Sequence, residues 1–238
     1  MPALESQIAL VTGAARGVGA AIALRLSSLG AHVLLVARDT QRLNQVAGQI
    51  HSNQGQATVL PCDLTDAAAI VRLGEQVARD YKRCDILVNN AAIGGTGQPL
   101  HEVRVDDWDQ LMDTNLRAPY LLIRHLAPLM IAARSGHIIN ISSLAGHNPL
   151  PRNAPYAASK WGLNGLTYSV AEELRPHHIR VSVIAPGSIN THFEGGDTGK
   201  DPNKMLQPDD IAAVVASIVT QAPQSFISEV LIRPTQKP

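Results

Sequence analysis

The chain has 238 residues, of which 45% are apolar, enough for the buried core of one α/β domain. Only 3% are aromatic, so Val, Ile, Leu and Ala must fill that core. Lys and Arg number 20, as do Asp and Glu, and the net charge of +0 gives no indication of the basic face that nucleic-acid binding usually needs. No apolar run reaches the about 18 residues that predict a membrane span. We therefore expect a single domain over residues 1–238 with no nucleic-acid or membrane partner.

The cysteines and the N-terminus predict a cytoplasmic protein. Cys62 and Cys84 are the only cysteines, too few for a disulfide framework, and we expect both to be reduced and buried. Residues 1–5 lack the basic and apolar regions of a signal peptide. No motif predicts a metal site.

Short apolar runs alternate with longer amphipathic stretches along the whole chain. In chain order, the pattern predicts strand 8–12, helix 17–29, strand 32–37, helix 40–54, strand 57–61, helix 66–81, strand 85–89, helix 105–133, strand 136–141, helix 156–175, strand 179–185, helix 208–221 and strand 229–232. The long helix 105–133 is expected to bend at Pro119 or Pro128, because proline removes a backbone donor. Residues 194–204 are polar and glycine-rich, which predicts a mobile loop.

This alternation predicts the fold class. Continuous apolar strands, such as residues 86–88, are typical of a parallel sheet that is covered on both faces. Strand–helix–strand units join parallel strands by right-handed crossovers. We therefore expect an α/β protein, a doubly wound, Rossmann-type parallel sheet of about seven strands with helices on both faces.

A glycine-rich turn follows the first predicted strand and opens the first predicted helix. It reads Thr12-Gly13-Ala14-Ala15-Arg16-Gly17-Val18-Gly19. Gly13 and Gly17 can adopt turn conformations that are closed to other residues, and Gly19 lets the helix pack close to the sheet. The N-terminus of a helix points free N–H groups and the positive end of its dipole at a pyrophosphate. An ordinary tight strand–helix turn is the alternative, but the position of the glycines favours dinucleotide binding.

Six motifs, taken in order, resemble the short-chain dehydrogenase/reductase family, and the resemblance covers nearly the whole chain. The first is the glycine spacing G-x-x-x-G-x-G after Thr12, which differs from the common G-x-G-x-x-G. The others are Asn89-Asn90-Ala91-Ala92, where Ala92 replaces the last glycine of N-N-A-G; Asn115; Ile141-Ser142-Ser143; Tyr156-Ala157-Ala158-Ser159-Lys160, which matches Y-x-x-x-K; and Pro186-Gly187 with Thr191, which matches P-G-x-x-x-T. The resemblance implies an oxidoreductase that uses a nicotinamide cofactor.

The resemblance identifies Asn115, Ser143, Tyr156 and Lys160 as catalytic residues, and their chemistry suits that role. Tyr156 and Lys160 lie four residues apart at the start of a predicted helix, so they share a face. An ammonium favours the phenolate and lowers the tyrosine pKa from about 10 towards the range of a general acid. The Ser143 hydroxyl can donate to a carbonyl oxygen as negative charge builds there. Capping of a turn is its alternative role, which the neighbouring Ser142 can fulfil instead. Asn115 is implied to hold a water that connects Lys160 to solvent.

The residues around the second predicted strand predict NADP(H) rather than NAD(H). An acidic residue at the end of that strand would bind the ribose 2′-OH and repel a 2′-phosphate, but Ala37 occupies this position. Arg38 follows, and Arg16 can approach the same phosphate from the glycine turn. Two alternatives stay open. Arg38 can be a solvated surface residue while Asp39 caps the next helix, or a one-residue slip in register can make Asp39 the ribose ligand.

The resemblance implies further cofactor contacts. Asp63 resembles the residue that binds the adenine amino group, although capping of the next helix explains it nearly as well. Lys160 is implied to hold the nicotinamide ribose, and Thr191 with the backbone of Ile189 the carboxamide. The predicted cofactor-binding set is Thr12, Gly13, Arg16, Gly17, Val18, Gly19, Arg38, Asp63, Leu64, Asn89, Ala91, Tyr156, Lys160, Pro186, Gly187, Ile189 and Thr191.

Within the family, the chain looks most like 3-oxoacyl-[acyl-carrier-protein] reductases and related carbonyl reductases. We expect it to reduce a ketone or aldehyde, with a 3-oxoacyl thioester as one candidate. Those enzymes dock the carrier with two basic residues; Arg134 matches one of them, but His177 stands at the other position. The alternatives are an NAD-dependent alcohol dehydrogenase working oxidatively and a cofactor-binding scaffold without catalysis. Apolar surface on helices 105–133 and 156–175 predicts a homodimer or homotetramer.

Overall fold

Strands and helices alternate through the computed structural model, which describes residues 3–191 and 201–238. The strands are β1 (Ile8–Thr12), β2 (His32–Ala37), β3 (Gln56–Pro61), β4 (Ile86–Asn89), β5 (Gly136–Ile141), β6 (Ile179–Pro186) and β7 (Glu229–Ile232). The α-helices are α1 (Gly17–Ser28), α2 (Thr40–Ser52), α3 (Ala67–Asp80), α4 (Val105–Met112), α5 (Ala118–Ala133), α6 (Ala154–Leu174) and α7 (Pro208–Val219).

The strands form one seven-stranded sheet in the order β3-β2-β1-β4-β5-β6-β7. Every neighbouring pair in this sheet is parallel. The chain builds outward from β1 to β3 and then returns to build outward from β4 on the other side. The order therefore reverses between β1 and β4, and the crevice beyond the carboxyl ends of these strands is where open α/β sheets bind ligands.

The sheet separates two apolar cores, because side chains alternate between its faces. Val11 and Leu35 belong to the core that also holds side chains of α1, α2 and α7. Their neighbours Leu10 and Leu34 belong to the core with α3, α5 and part of α6. All four side chains are fully buried. The predicted parallel sheet of seven strands with helices on both faces is thus confirmed.

The helical stretch predicted over residues 105–133 is confirmed, but it contains a π-helical turn that was not predicted. Helix α4 ends at Met112, a π-helical turn covers Asp113–Arg117, and α5 begins at Ala118. The π-helical turn lies before both prolines: Pro119 stands in the first turn of α5 and Pro128 inside it. π-Helical turns place an extra residue in the turn and are frequent at functional sites, which fits the position of Asn115 here. The other predicted elements differ in their bounds by one or two residues, as helix ends commonly do.

Residues 194–200 of the predicted loop lie outside the described residues, and the remainder forms a short 3-10 turn, Pro202–Lys204. Within the described ranges, no helix is long and apolar enough to cross a membrane. That residues 1–238 form one domain stays a prediction, and the single continuous sheet is what it requires.

Candidate active site

The predicted motifs meet at one edge of the sheet, because each follows the carboxyl end of a parallel strand. The glycine turn follows β1, residues 90–93 follow β4, Ser143 follows β5, and residues 187–191 follow β6. Helix α6, which carries Tyr156 and Lys160, begins after the loop that Ser143 starts. The parallel topology thus assembles segments that are far apart in the sequence.

The glycine turn has the shape that a pyrophosphate needs. Gly13 and Gly17 have φ angles of +66° and +56°, in the left-handed region that favours glycine. A Cβ on Gly13 would lie 2.8 Å from Asn90 Nδ2, and one on Gly19 would overlap the Gly13 carbonyl oxygen. Gly19 therefore lets α1 approach the turn itself. The N-terminus of α1 carries no side-chain cap and no acidic residue in its first turn, so its N–H groups suit an anion.

Thr12 and Asn90 tie the ends of β1 and β4 together. Thr12 Oγ1 accepts from the backbone N–H groups of Asn90 (2.9 Å) and Ala91 (3.0 Å) and donates to Val88 O at 3.3 Å. Asn90 Nδ2 donates to Thr12 O at 2.9 Å. The predicted cofactor residue Thr12 thus has its buried hydroxyl engaged within the protein, where it shapes the crevice. Asn90 was not predicted, although the second Asn of Asn89-Asn90 is the signal that could have found it.

A buried polar chain connects β4, β5 and α6 beneath the site. Asn89 Nδ2 donates to Asn140 Oδ1 at 2.8 Å, and these residues are paired across β4 and β5. Asn140 Nδ2 donates to Thr167 Oγ1 at 2.8 Å. The side chain of Asn89, predicted to contact the cofactor, therefore joins the two strands that lead to the catalytic loops.

Asn115 lies in the π-helical turn and is 1% exposed. Its Oδ1 accepts from Ile93 N at 2.9 Å, and its Nδ2 donates to Ile93 O at 3.0 Å and to Ser159 Oγ at 3.2 Å. The side chain thus joins the segment after β4 to helix α6, three residues after Tyr156. The water that the resemblance implies at Asn115 stays a prediction.

Ser143 begins the 3-10 turn Leu144–Gly146 and caps it. Its Oγ accepts from Ala145 N at 3.1 Å. The interpretation that Ser142 performs this capping is wrong: Ser142 Oγ is buried and has no hydrogen-bond partner within residues 3–191 and 201–238. Capping does not remove Ser143 from catalysis, because accepting a bond uses an oxygen lone pair and leaves the hydroxyl proton for a substrate oxygen.

Lys160 joins helix α6 to strand β5, which leads to Ser143. Its Nζ donates to Ile141 O at 2.9 Å, two residues before Ser143, and lies 5.8 Å from the centroid of the Tyr156 ring. The side chain is 2% exposed, and burial lowers the pKa of Lys160 from 10.5 to about 7. At neutral pH this amine therefore populates both its charged and its neutral form, whereas an exposed lysine is almost entirely charged.

The end of β2 lies next to the glycine turn, since Ala14 N donates to Val36 O at 3.2 Å. Arg16 and Arg38 are both exposed there. Asp39 caps α2 by accepting from Arg42 N at 3.0 Å, and its carboxylate pairs with the Arg42 side chain at 3.3 Å. The alternative in which Asp39 caps the helix is thus confirmed.

Asp63 does not cap α3, because Asp66 does so by accepting from Ala68 N at 2.8 Å. The pKa of Asp63 is lowered, first by the Thr65 N–H that donates to it, then by the Thr65 hydroxyl and the charge of Arg38, with burial opposing. The capping interpretation of Asp63 is therefore wrong, and its carboxylate faces the end of β2. Its neighbour Leu64 is 8% exposed and belongs to the core.

The segment after β6 closes over the glycine turn. Gly187 N donates to Ile232 O of β7 at 2.8 Å, and Ile189 forms an isolated bridge with Leu206. A Cβ on Gly17 would lie 3.4 Å from Thr191 Cγ2. The P-G-x-x-x-T motif and the glycine turn are thus in contact, as a shared cofactor site requires.

The family model described as short chain dehydrogenase matches residues 7–201. The chain belongs to the short-chain dehydrogenase/reductase family. An uncharacterized oxidoreductase of Staphylococcus epidermidis is 34% identical over 235 residues, covering 98% of this chain and 100% of the relative. The 3-oxoacyl-[acyl-carrier-protein] reductase of Synechocystis is 32% identical over 96% of this chain and 95% of its own.

A solved metagenomic short-chain oxidoreductase in complex with NADP has a TM-score of 0.88 to this structure. It is 53% identical in sequence and covers 98% of this chain and 100% of its own. The predicted family is thus confirmed along nearly the whole chain.

This short-chain dehydrogenase also has a contact beside its site that the sequence analysis missed. Gly97, in the loop after β4, is bound through both backbone groups: its N–H donates to Asn153 Oδ1 at 3.2 Å, and its carbonyl accepts from Arg152 Nε at 2.8 Å. A Cβ on Gly95 would overlap Asn153 Oδ1. Asn153 directly precedes α6, where an asparagine predicts a helix cap, but its side chain binds this loop instead.

Arg134 and His177 lie at the edge of the sheet opposite Ser143. Arg134 ends α5 just before β5, and His177 lies just before β6, whereas Ser143 follows the carboxyl end of β5. Among the described residues, no group of three or more His, Cys, Asp or Glu side chains could hold a metal.

Proposed function

We propose that this oxidoreductase is an NADP(H)-dependent carbonyl reductase that acts on ketones or aldehydes. The observation that carries the proposal is the position of Lys160. Its buried Nζ is hydrogen-bonded to the strand end that leads to Ser143 and lies 5.8 Å from the Tyr156 ring centroid. Burying a lysine to 2% exposure with a backbone carbonyl as its hydrogen-bond partner is costly, and such groups cluster at functional sites.

The glycine turn and its neighbours are the residues that would hold the cofactor. Gly13, Gly17 and the open N-terminus of α1 suit the pyrophosphate. Arg16 and Arg38 suit a 2′-phosphate, and the engagement of Asp39 with α2 and Arg42 argues against its role as a ribose ligand. The NADP bound by the relative that is 53% identical supports the same choice.

The bound nicotinamide supplies the hydride for reduction, and the chain's own residues act at the substrate oxygen. The Ser143 hydroxyl donates a hydrogen bond to that oxygen, which strengthens as negative charge builds. Tyr156 gives its phenolic proton to the same oxygen. Protonated Lys160 stabilises the phenolate that is left, and the low dielectric around its buried Nζ strengthens this interaction. With a pKa of about 7, Lys160 can also return a proton to that phenolate.

The substrate is proposed as a carbonyl compound, and 3-oxoacyl thioesters are one class to test. The name of the Synechocystis relative supports that class. Docking of a carrier through Arg134 and His177 finds no support within one chain, because both lie at the sheet edge opposite Ser143.

We also propose that the protein is a homodimer or homotetramer. Two adjoining grooves lie between α5 and α6, with Leu116, Tyr120, Leu166 and Val170 in their walls. Tyr120 is 43% exposed and Trp161 on α6 is 53% exposed. Together with the grooves they form an apolar patch of the kind that marks an interaction surface. Two helices that associate with their copies about a two-fold axis would cover this surface. The cytoplasmic location stays a prediction.

Three variants test the proposed roles separately. Tyr156→Phe keeps the ring and removes the acid, so kcat should fall by about 10²–10⁴-fold with little change in the Kd for NADPH. Ser143→Ala should also lower kcat without weakening NADPH, because its hydrogen bond acts on the developing oxyanion. Lys160→Ala should lower kcat and raise the Kd for NADPH.

Turnover of a panel of carbonyl compounds, followed by loss of NADPH absorbance, gives kcat, and fluorescence titration gives the Kd for NADPH. Tyr81→Phe is the matched control, since Tyr81 follows α3 and packs on the His32 ring, away from the site. Near-normal turnover by Tyr156→Phe would contradict the mechanism and favour a non-catalytic scaffold or another acid.

A further inference from the structure

A polar cluster lies behind the serine turn, on the side of β7. We infer that His147, Asn164, Tyr168 and Glu229, called the serine latch from here on, hold the turn that carries Ser143 and so position its hydroxyl for catalysis. The inference rests on the proposed function, because it assigns positioning residues to the same reaction. None of the four residues belongs to the predicted site.

The serine turn is held together by hydrogen bonds among its own residues. Ser143 Oγ accepts from Ala145 N, Ser143 O accepts from Gly146 N at 2.9 Å, and Leu144 O accepts from His147 N at 3.0 Å. A displacement of His147 should therefore shift Ser143, because these three hydrogen bonds join the residues of the turn between them.

His147 is bound to the last strand of the sheet. Its Nε2 lies 2.8 Å from Glu229 Oε1, and the Tyr168 hydroxyl donates to the same carboxylate oxygen at 3.0 Å. A carboxylate only accepts, so the contact requires a proton on His147 Nε2. The side chains of His147 and Glu229 are 25% and 29% exposed, so water competes less with this pair than with the fully exposed pairs of the surface. The Tyr168 pKa is raised to about 12, first by burial and then by Glu229, so this phenol keeps its proton and donates at neutral pH.

Asn164 holds the other side of the turn against α6. Its Nδ2 donates to Gly146 O at 3.0 Å. A Cβ on Gly146 would lie 2.7 Å from Asn164 Nδ2, 2.9 Å from Ser142 Oγ and 3.0 Å from Lys160 O. The turn thus lies directly on the helix that carries Lys160. His147 Nε2 also lies 3.1 Å from Asn164 Nδ2. Because both atoms are donors when Nε2 carries the proton that Glu229 accepts, this contact is not a hydrogen bond, and Asn164 Nδ2 donates to Gly146 O.

The latch connects the serine turn and helix α6 to the last strand of the sheet. Glu229 begins β7 and pairs with Val183 of β6, Tyr168 lies on α6, and His147 ends the serine turn. The orientation of Ser143 against Tyr156 therefore depends on side chains from the far end of the chain.

The test measures the latch with and without the serine on which it acts. His147→Phe and Glu229→Gln should each lower kcat by about 10- to 100-fold, because displacing a catalytic group by about 1 Å costs on the order of 10²-fold. The Kd for NADPH should not change. In a Ser143→Ala background, the same two substitutions should cause no further loss, since the hydroxyl that they misplace is already absent.

Conservative variants and a surface control complete the design. His147→Gln keeps an N–H donor for Glu229 and should retain more activity than His147→Phe. Glu172→Gln alters an exposed pair with Arg175 on the same helix and should leave kcat unchanged. If a latch variant unfolds, as circular dichroism would reveal, Tyr168→Phe removes one hydrogen bond at lower cost and should show the same dependence on Ser143.

The outcomes separate the two proposals. The latch alone would be overturned if its variants lowered kcat by the same factor in the wild-type and the Ser143→Ala backgrounds. It would also be overturned if the latch variants had normal kcat while Ser143→Ala was impaired. A Ser143→Ala enzyme with normal kcat would overturn the role of Ser143 and the latch with it, whereas a wild-type protein that reduces no carbonyl compound of the panel would overturn the proposed function.

Discussion

Lys160→Met should make the protein more stable at about pH 6 and remove a rise in stability that the wild type shows above about pH 7. Methionine keeps an unbranched apolar side chain of similar length but carries no charge. The wild-type side chain is 2% exposed, and burial lowers its pKa from 10.5 to about 7. The folded protein therefore resists protonation of a group that the unfolded chain protonates freely.

The magnitude follows from the shift. Each pKa unit corresponds to about 1.4 kcal/mol, so a depression from 10.5 to about 7 penalises the charged form in the folded state by up to about 5 kcal/mol. Methionine leaves Ile141 O without the hydrogen bond from Nζ, which costs about 1–3 kcal/mol. The variant should thus gain about 2–4 kcal/mol in the free energy of unfolding at about pH 6.

The sign of the pH dependence is fixed by the direction of the shift. Between about pH 7 and pH 10 the unfolded chain binds a proton at residue 160 and the folded protein does not, so the wild-type free energy of unfolding rises with pH. The slope contributed by this group approaches about 1.4 kcal/mol per pH unit. The advantage of Lys160→Met should therefore shrink by about 3 kcal/mol between about pH 6 and pH 9.

Urea unfolding of both proteins without cofactor, at one protein concentration, measures this difference. Other shifted groups, such as the buried His137, Cys62 and Cys84, are present in both proteins, so their contributions cancel in the difference. A stability difference that stays constant between about pH 6 and pH 9 would refute the reasoning, because it would mean that Lys160 titrates alike in the folded and unfolded states.

Three further predictions concern the cofactor and the assembly. Arg38→Asp should weaken NADPH and favour NADH, measured as the ratio of kcat/KM values, because a carboxylate repels the 2′-phosphate; a wild type that already prefers NADH would contradict the assignment. Gly19→Ala should raise the Kd for NADPH and lower Tm, since its Cβ would overlap Gly13 O. The control Gly48→Ala has open space around its Cβ inside α2, so its Kd for NADPH should not change and its Tm should stay the same or rise slightly. Equal behaviour of the two variants would argue against a close helix–turn contact. Light scattering at micromolar concentration should give the mass of a dimer or tetramer, and Leu166→Glu in the α5–α6 groove should reduce it; a monomeric wild type would exclude the proposed association.

The sequence by itself determined the fold class, and it also gave the predicted residues of the site. Short apolar runs and amphipathic stretches report the periods of strand and helix directly, so the seven strands were predicted nearly to the residue. The position of each motif after a strand explains why the motifs come together, because carboxyl ends of parallel strands share one edge. Gly13, Ser143, Tyr156 and Lys160 meet there for that reason.

Only the tertiary structure decided how these residues are held and tuned. Helical periodicity over residues 105–133 does not distinguish a continuous helix from one with a π-helical turn, because both present apolar side chains at similar spacing. Ser142 and Ser143 are equivalent in the sequence, and the different hydrogen-bonding of their two hydroxyl groups depends on the path of the turn. The pKa of Lys160 and the contacts of His147 with Glu229 depend on burial and on partners up to the far end of the chain. Local patterns carry no information on such partners, since packing between distant segments creates them.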